Sequence, residues 1–194
     1  MKKNMPVQYL TRIAVLAAVA SILFMVEIPV VAFYKLDLSN LPVLLGGFSM
    51  GPVAGLIILG IKSLIGMLHS SSAFVGEVAD FIMGAAYVLP AALIYRLRKS
   101  RGGALVGMLV GTLCMVVVSV LVNWKIMLPF YMSAMHMSME DIVGMAAKAV
   151  PAVKSEWDLL LMVTAPFNLL KGVVLSLLTF VLYKRLSPLL HVKK

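Results

Sequence analysis

The chain has 194 residues, 62% hydrophobic and 13% charged, with a formal net charge of +9. A soluble domain carries about 25% charged residues, so this composition specifies an integral membrane protein. The one cysteine, Cys114, excludes a disulfide framework or a cysteine metal site within the chain.

The positive charge is grouped. Lys2, Lys3 and Arg12 open the chain, Arg96, Arg98, Lys99 and Arg101 cluster midway, and Lys184, Arg185, Lys193 and Lys194 close it, with no acid in any of the three regions. The positive-inside rule then puts both termini and the middle loop in the cytoplasm. This charge is topological and is no nucleic-acid footprint. Lys2 and Lys3 precede an apolar run far longer than a signal-peptide core, with no small-residue cleavage site after it, so cleavage is not expected.

In chain order, a first span is predicted from Tyr9 to Phe33, with Ala14, Ala17, Ala18 and Ser21 on one face and Pro29 distorting its outer end. Ala14 and Ala18 have the small-xxx-small spacing that lets another helix approach closely. The stretch 34–40 reads as a polar, alternating external loop, with Ser39 or Asn40 capping the next helix and Pro42 in its first turn. A short second span, Asn40 to Met50, ends at the Gly51-Pro52 turn. The third runs from Pro52 to Leu68 and contains Lys62; the fourth starts near Ala73, carries Glu77 and Asp80, and ends at the Arg96–Arg101 cluster.

The fifth span, Gly103 to Tyr131, has Gly103, Gly107 and Gly111 at overlapping GxxxG spacings, which fit close helix packing. Asn123 lies at its outer end, beside Trp124 in an aromatic belt and Lys125. Ser138 to Val150 then reads as a short amphipathic helix over the outer face, opened by a capping-box spacing at Ser138 and Asp141 and stopped by Pro151. The last span, Leu159 to Tyr183, holds Asn168 and Lys171 three residues apart on one helical face. A lysine at mid-span costs about 2.5–3.5 kcal/mol on insertion scales, so it must face a partner, a cavity or a ligand. The sum is an all-α integral membrane protein of six transmembrane helices in a single domain, residues 1–194, with both termini cytoplasmic.

Enzymatic motifs are missing. Gly55 to Ser63 is a near miss to a phosphate-binding loop, with one residue too many before Lys62 and no preceding strand. There is no HExxH pair, no GxSxG elbow and no acidic metal cluster, and His69, His136 and His191 are dispersed. No nucleophile–base pair is present, so no enzyme is expected. What remains is a polar set in the outer half: Glu27, Glu77, Asp80, Asn123, Lys125, Asn168 and Lys171. It suits a pocket for a neutral, hydrogen-bonding, partly aromatic ligand, covered by the amphipathic helix and by Leu36 in its loop. Uptake through such a pocket draws its energy either from ion coupling or from another subunit.

Several stretches carry a resemblance: Lys35 to Pro42, Gly51 to Gly55, Ile61-Lys62, Val75 to Phe81, Asn123 to Tyr131 and Ala165 to Gly172. In order and over nearly the whole chain, they resemble the substrate-binding (S) component of energy-coupling factor (ECF) vitamin transporters, and within it the riboflavin-specific group. The resemblance implies a six-helix fold holding riboflavin near the extracellular surface, as transported substrate with no cofactor. It implies as partners a transmembrane coupling (T) protein and two cytoplasmic ATPases. Asn123, Asn168 and Lys171 match the hydrogen-bonding set for the isoalloxazine ring, and Ala14 and Ala18 match the motif that docks on the coupling protein. Asp80 stands where asparagine is expected, an acid able to pair with Lys171. Another vitamin, or an ion-coupled facilitator, is the alternative reading.

Overall fold

The computed structural model describes residues 7–31, 34–70 and 72–190, with side chains as far as 183. The basic residues Lys2, Lys3, Lys193 and Lys194, the side chains of Lys184 and Arg185, His191 and the expected first-span end at Phe33 lie outside the described residues. Helix α1 (Val7–Met25) leads to a hairpin of β1 (Ile28–Val31) and β2 (Tyr34–Leu36). Then come α2 (Asn40–Met50), α3 (Pro52–Met67), α4 (Val75–Leu97) and α5 (Arg101–Val122), the last running through a π segment, Asn123–Met127, into α6 (Leu128–Ala134). An amphipathic α7 (Met139–Ala147) precedes α8 (Glu156–Leu159), a second π segment (Leu160–Thr164) and α9 (Ala165–Leu190).

The first span is shorter than predicted. Continuing α1 past Glu27 would drive the Pro29 ring against the carbonyl of Met25, the residue at which the helix stops. The chain turns into a strand instead, and β1 pairs antiparallel with β2, matching Ile28 to Leu36 and Pro29 to Lys35, with an irregularity between Pro29 and Val31. The fold is thus not purely helical: the outer end of the expected first span and the start of the expected loop pair as a two-stranded ribbon.

Among the described residues, four helices are long and apolar enough to cross a membrane: Val7–Met25, Val75–Leu97, Arg101–Ala134 and Glu156–Tyr183. Helices α2 and α3 are shorter. Helix α2 is the centre of the bundle: every residue from Asn40 to Phe48 is buried, and it packs on α1, α3, α4 and α9. Eleven residues rise only about 16 Å, a length that works because protein surrounds it. Gly51, at φ 103°, makes the tight turn into α3, a backbone state that favours glycine.

The glycine spacings of α5 serve packing. A Cβ on Gly107 would lie 2.6 Å from the Ala91 carbonyl oxygen, so α5 meets the backbone of α4 directly. Large apolar side chains on the opposite faces remain exposed, among them Leu109, Leu113 and Val117 on α5 and Leu170, Val173 and Leu177 on α9. These are the surfaces that lipid covers.

Both π segments precede a proline, Pro129 and Pro166. A proline ring clashes with the carbonyl four residues back, here Lys125 and Met162, each inside a π segment. Widening the helix to i→i−5 bonds, Leu128 N–H to Asn123 C=O and Ala165 N–H to Leu160 C=O, accommodates the ring. Asn123 and Thr164 sit within these two widenings, and Asn168 follows one turn after the second.

Candidate functional site

Between α4, the first π segment, α9 and the β-ribbon lies a cavity of about 450 Å³. Its walls include Asp37, Glu77, Asp80, Asn123, Asn168 and Lys171, with apolar surface from Phe24, Tyr34, Phe167 and several methionines. Helix α7 contributes Ile142 and Met145 from outside. Ser138 caps that helix in a reciprocal capping box: its hydroxyl accepts from the Asp141 N–H, and the Asp141 carboxylate accepts from the Ser138 N–H at 3.0 Å. Ile142 and Ala146 form its buried stripe, packed in a cluster with Tyr34, Leu128, Leu159 and Val163.

Beneath the cavity is a buried network of charges. Lys171 Nζ is 2.7 Å from Asp37 Oδ2 and 3.8 Å from Asp80 Oδ1. Lys62, with no exposed surface, donates to Asp80 Oδ2 at 2.5 Å, to Ser39 Oγ at 3.0 Å and to Asn40 Oδ1 at 3.2 Å. Two lysines thus face two carboxylates, so each buried charged side chain has a partner of opposite sign. Ser39 stands at the predicted cap position, but its hydroxyl does not cap α2; both its N–H and its O–H donate to Asp37 Oδ1. Burial by itself raises the Asp37 carboxyl. The Lys171 and Lys62 charges, with hydrogen bonds from Lys171 and Ser39, outweigh it and hold the group at about 2.

The asparagines are aimed by their own helices. Asn123 donates from its amide nitrogen to the Ser119 carbonyl at 2.8 Å, and Asn168 to the Thr164 carbonyl at 2.9 Å. Each amide nitrogen carries a second N–H. Asn123 Oδ1 accepts from the Tyr34 hydroxyl at 3.3 Å, and that hydroxyl also shares a hydrogen bond with Thr164. The Tyr34 ring packs against Phe167, with centroids 5.2 Å apart. Burial pushes the Tyr34 phenol above its ordinary value, against the opposing effect of the Thr164 hydrogen bond, so it remains a neutral donor.

Of the residues singled out in the sequence, Glu77, Asp80, Asn123, Asn168 and Lys171 come together on the cavity wall, with Glu27 at its edge. Glu27 is paired to Lys35 at 2.5 Å, and Glu77 accepts from Ser70 at 2.8 Å and Ser72 at 3.2 Å. Lys125 does not join them: its ammonium lies 3.5 Å over the Trp124 ring. Leu36 pairs with Ile28 in the ribbon and is absent from the cavity lining. Ala14 and Ala18 are exposed on α1, whereas Ala17 and Ser21 are buried. Asp37, Tyr34 and Lys62 are the residues sequence reasoning missed. Lys62 had the same signal as Lys171, a lysine inside an apolar span; Tyr34 and Asp37 had only the alternation of their stretch.

Residues 8–183 match the family model described as ECF transporter, substrate-specific component. The chain is 32% identical over 184 residues to the riboflavin transporter RibU of Staphylococcus aureus (strain TCH60), covering 93% of this chain and 91% of that protein. It is 26% identical over 190 residues to the riboflavin transporter FmnP of Bacillus subtilis (strain 168), covering 95% and 94%. A solved structure described as "Structure and mechanism of the S component of a bacterial ECF transporter" superposes with a TM-score of 0.72 at 31% identity, covering 94% of this chain and 97% of that one. Matched over nearly its whole length, and built on long apolar helices, the chain is a multi-pass membrane protein that belongs to the substrate-specific components of ECF transporters.

Proposed function

We propose that this chain is the riboflavin-binding subunit of an ATP-driven ECF importer, capturing the vitamin at the extracellular face. The observation that carries this reading is the convergence of Asn123, Asn168, Lys171 and Asp80 on one cavity with aromatic and thioether walls. Riboflavin has a flat apolar ring system, one edge of alternating carbonyl and N–H groups, and a neutral polyhydroxy chain. An asparagine offers donor and acceptor side by side, which suits such an edge. Lys171 donates to a ring carbonyl, and the carboxylates Asp80 and Glu77 accept from hydroxyls. The names of the relatives in Staphylococcus aureus and Bacillus subtilis support the same ligand.

In this reading all six helical segments cross the bilayer, α2 and α3 as short, shielded crossings, with both termini and the Arg96–Arg101 loop cytoplasmic. Helix α7 is a lid: it rests on the cavity mouth through Ile142 and Met145, opens to load and closes to retain the ligand. The chain binds and does no chemistry. A transmembrane coupling protein docks on the exposed Ala14 and Ala18 of α1, and two cytoplasmic ATPases drive release inward. Titrating the purified protein with riboflavin, against thiamine and biotin as controls, tests the ligand; saturable binding of riboflavin alone is the expected result, and a preference for another vitamin overturns it.

A further inference from the structure

A second cavity, about 510 Å³, lies at the opposite end of the bundle, where α4 turns into α5. Its charged rim is Lys99 and Arg101, and its apolar part is Phe48, Tyr95, Met108 and Phe180. The floor is rigid. Phe48, Tyr95 and Tyr183 pack pairwise with centroids 4.7 to 5.6 Å apart, Tyr183 edge-on to the other two, and the Tyr95 and Tyr183 hydroxyls share a hydrogen bond of 2.8 Å.

The charge here is unbalanced. A helix N-terminus carries partial positive charge and ordinarily has acids in its first turn. The first turn of α5 has none; it begins instead with Arg101 and follows directly on Lys99 and Ser100. Neither cation has a carboxylate partner among the described residues. Positive-inside topology accounts for basic residues at this end of the molecule. It does not account for two of them bordering an aromatic-floored cavity. One side of that cavity is Phe180, part of the exposed apolar face of α9 that also carries Leu177 and Val181.

From these features we infer a site for a phosphate-bearing anion, supplied by the headgroup of an anionic phospholipid. Lys99 and Arg101 hold the phosphate, Arg101 through the planar fork of donors that matches its oxygens. The glycerol and first acyl methylenes lie along Phe180. A freely dissolved phosphate ion would leave that apolar wall unused, and this favours the lipid as the source. The site is distinct from the vitamin cavity, since the two share no lining residue.

Native mass spectrometry of the detergent-purified full chain, titrated with phosphatidylglycerol or phosphatidylcholine, reads the site directly. Both lipids carry the phosphate, but phosphatidylcholine also brings a quaternary ammonium against Lys99 and Arg101, so phosphatidylglycerol is expected to be retained at least about tenfold more tightly. The double variant Lys99→Gln/Arg101→Gln is expected to lose most of that preference. The control Arg96→Gln/Arg98→Gln removes the same charge from the same end, but outside the cavity, and is expected to keep it. Equal loss in both double variants, or equal retention of the two lipids, overturns the site. Displacement of the bound lipid by low-millimolar inorganic phosphate overturns the lipid as its source. An unchanged melting temperature in each variant confirms that the comparison is between folded proteins.

Discussion

Lys171 has a carboxylate partner in the structure and, in the proposed reading, the ligand as a second, and substitution can separate the two. Lys171→Met leaves Asp37 buried with its 2.7 Å partner gone. Removing one member of a buried pair costs about 3–5 kcal/mol. Asp37 keeps two hydrogen bonds from Ser39 and the nearby charge of Lys62, which places the loss at the lower end, about 3 kcal/mol. Asp37→Asn in the same background removes the orphaned charge at nearly constant volume, and the double variant is expected to recover about 2 kcal/mol, within the range for directly coupled residues. Riboflavin affinity behaves differently. If Lys171 donates to the ring, both Lys171→Met and the double variant bind more weakly by about 1.5–3 kcal/mol, the range for a hydrogen bond to a charged group. Thermal unfolding in detergent measures the first quantity and quenching of flavin fluorescence the second. A double variant that is stable and binds riboflavin as tightly as the native chain would refute the ligand role and leave Lys171 as a structural cation.

Four further outcomes are expected. Replacing Ala14 and Ala18 with tryptophan leaves riboflavin binding by the isolated subunit intact and abolishes ATP-driven uptake, because both side chains are exposed; loss of binding instead would place them in the subunit's own packing. Hydrogen exchange across residues 138–150 slows on adding riboflavin if α7 is a lid, and identical exchange in both states leaves it a helix resting on the membrane surface. The folded-state value of Asp37 is depressed below the ordinary 3.8 to about 2, so its contribution to stability is complete above pH 3.8 and is lost as pH falls toward 2; the stability gap between the native chain and Asp37→Asn, followed by thermal unfolding, should close over that window. Glu77 has hydroxyl partners and no cation among the described residues, so the phosphate ester of riboflavin should bind at least about tenfold more weakly than riboflavin through like-charge repulsion, a gap that Glu77→Gln narrows in competition assays.

The helical elements were legible wherever a strong local signal stood at their ends. Gly51-Pro52 marked the α2–α3 turn, Ser138 and Asp141 the start of α7, and the basic cluster the end of α4. The ribbon was less legible. Residues 34–38 alternate polar and apolar as a strand does, but Pro29 beside them reads as a helix distortion until β1 is seen pairing across it. The π segments follow from Pro129 and Pro166, yet a proline alone does not say whether a helix will break, kink or widen. In the site, Asn123, Asn168 and Lys171 were legible because polar groups inside apolar spans require an explanation. Asp37 was not, since nothing local places a loop aspartate 134 positions away against Lys171. That pairing is a product of α2 being drawn into the middle of the bundle.

Riboflavin held in the outer cavity would carry a visible signature. The most direct measurement is the absorption spectrum of the protein purified from cells grown with the vitamin, followed by equilibrium titration after the flavin is stripped. A yellow protein with a flavin spectrum is expected, with rebinding of one riboflavin per chain and quenched fluorescence that Asn168→Ala weakens. A colourless, well-folded protein that neither retains nor rebinds riboflavin would contradict it.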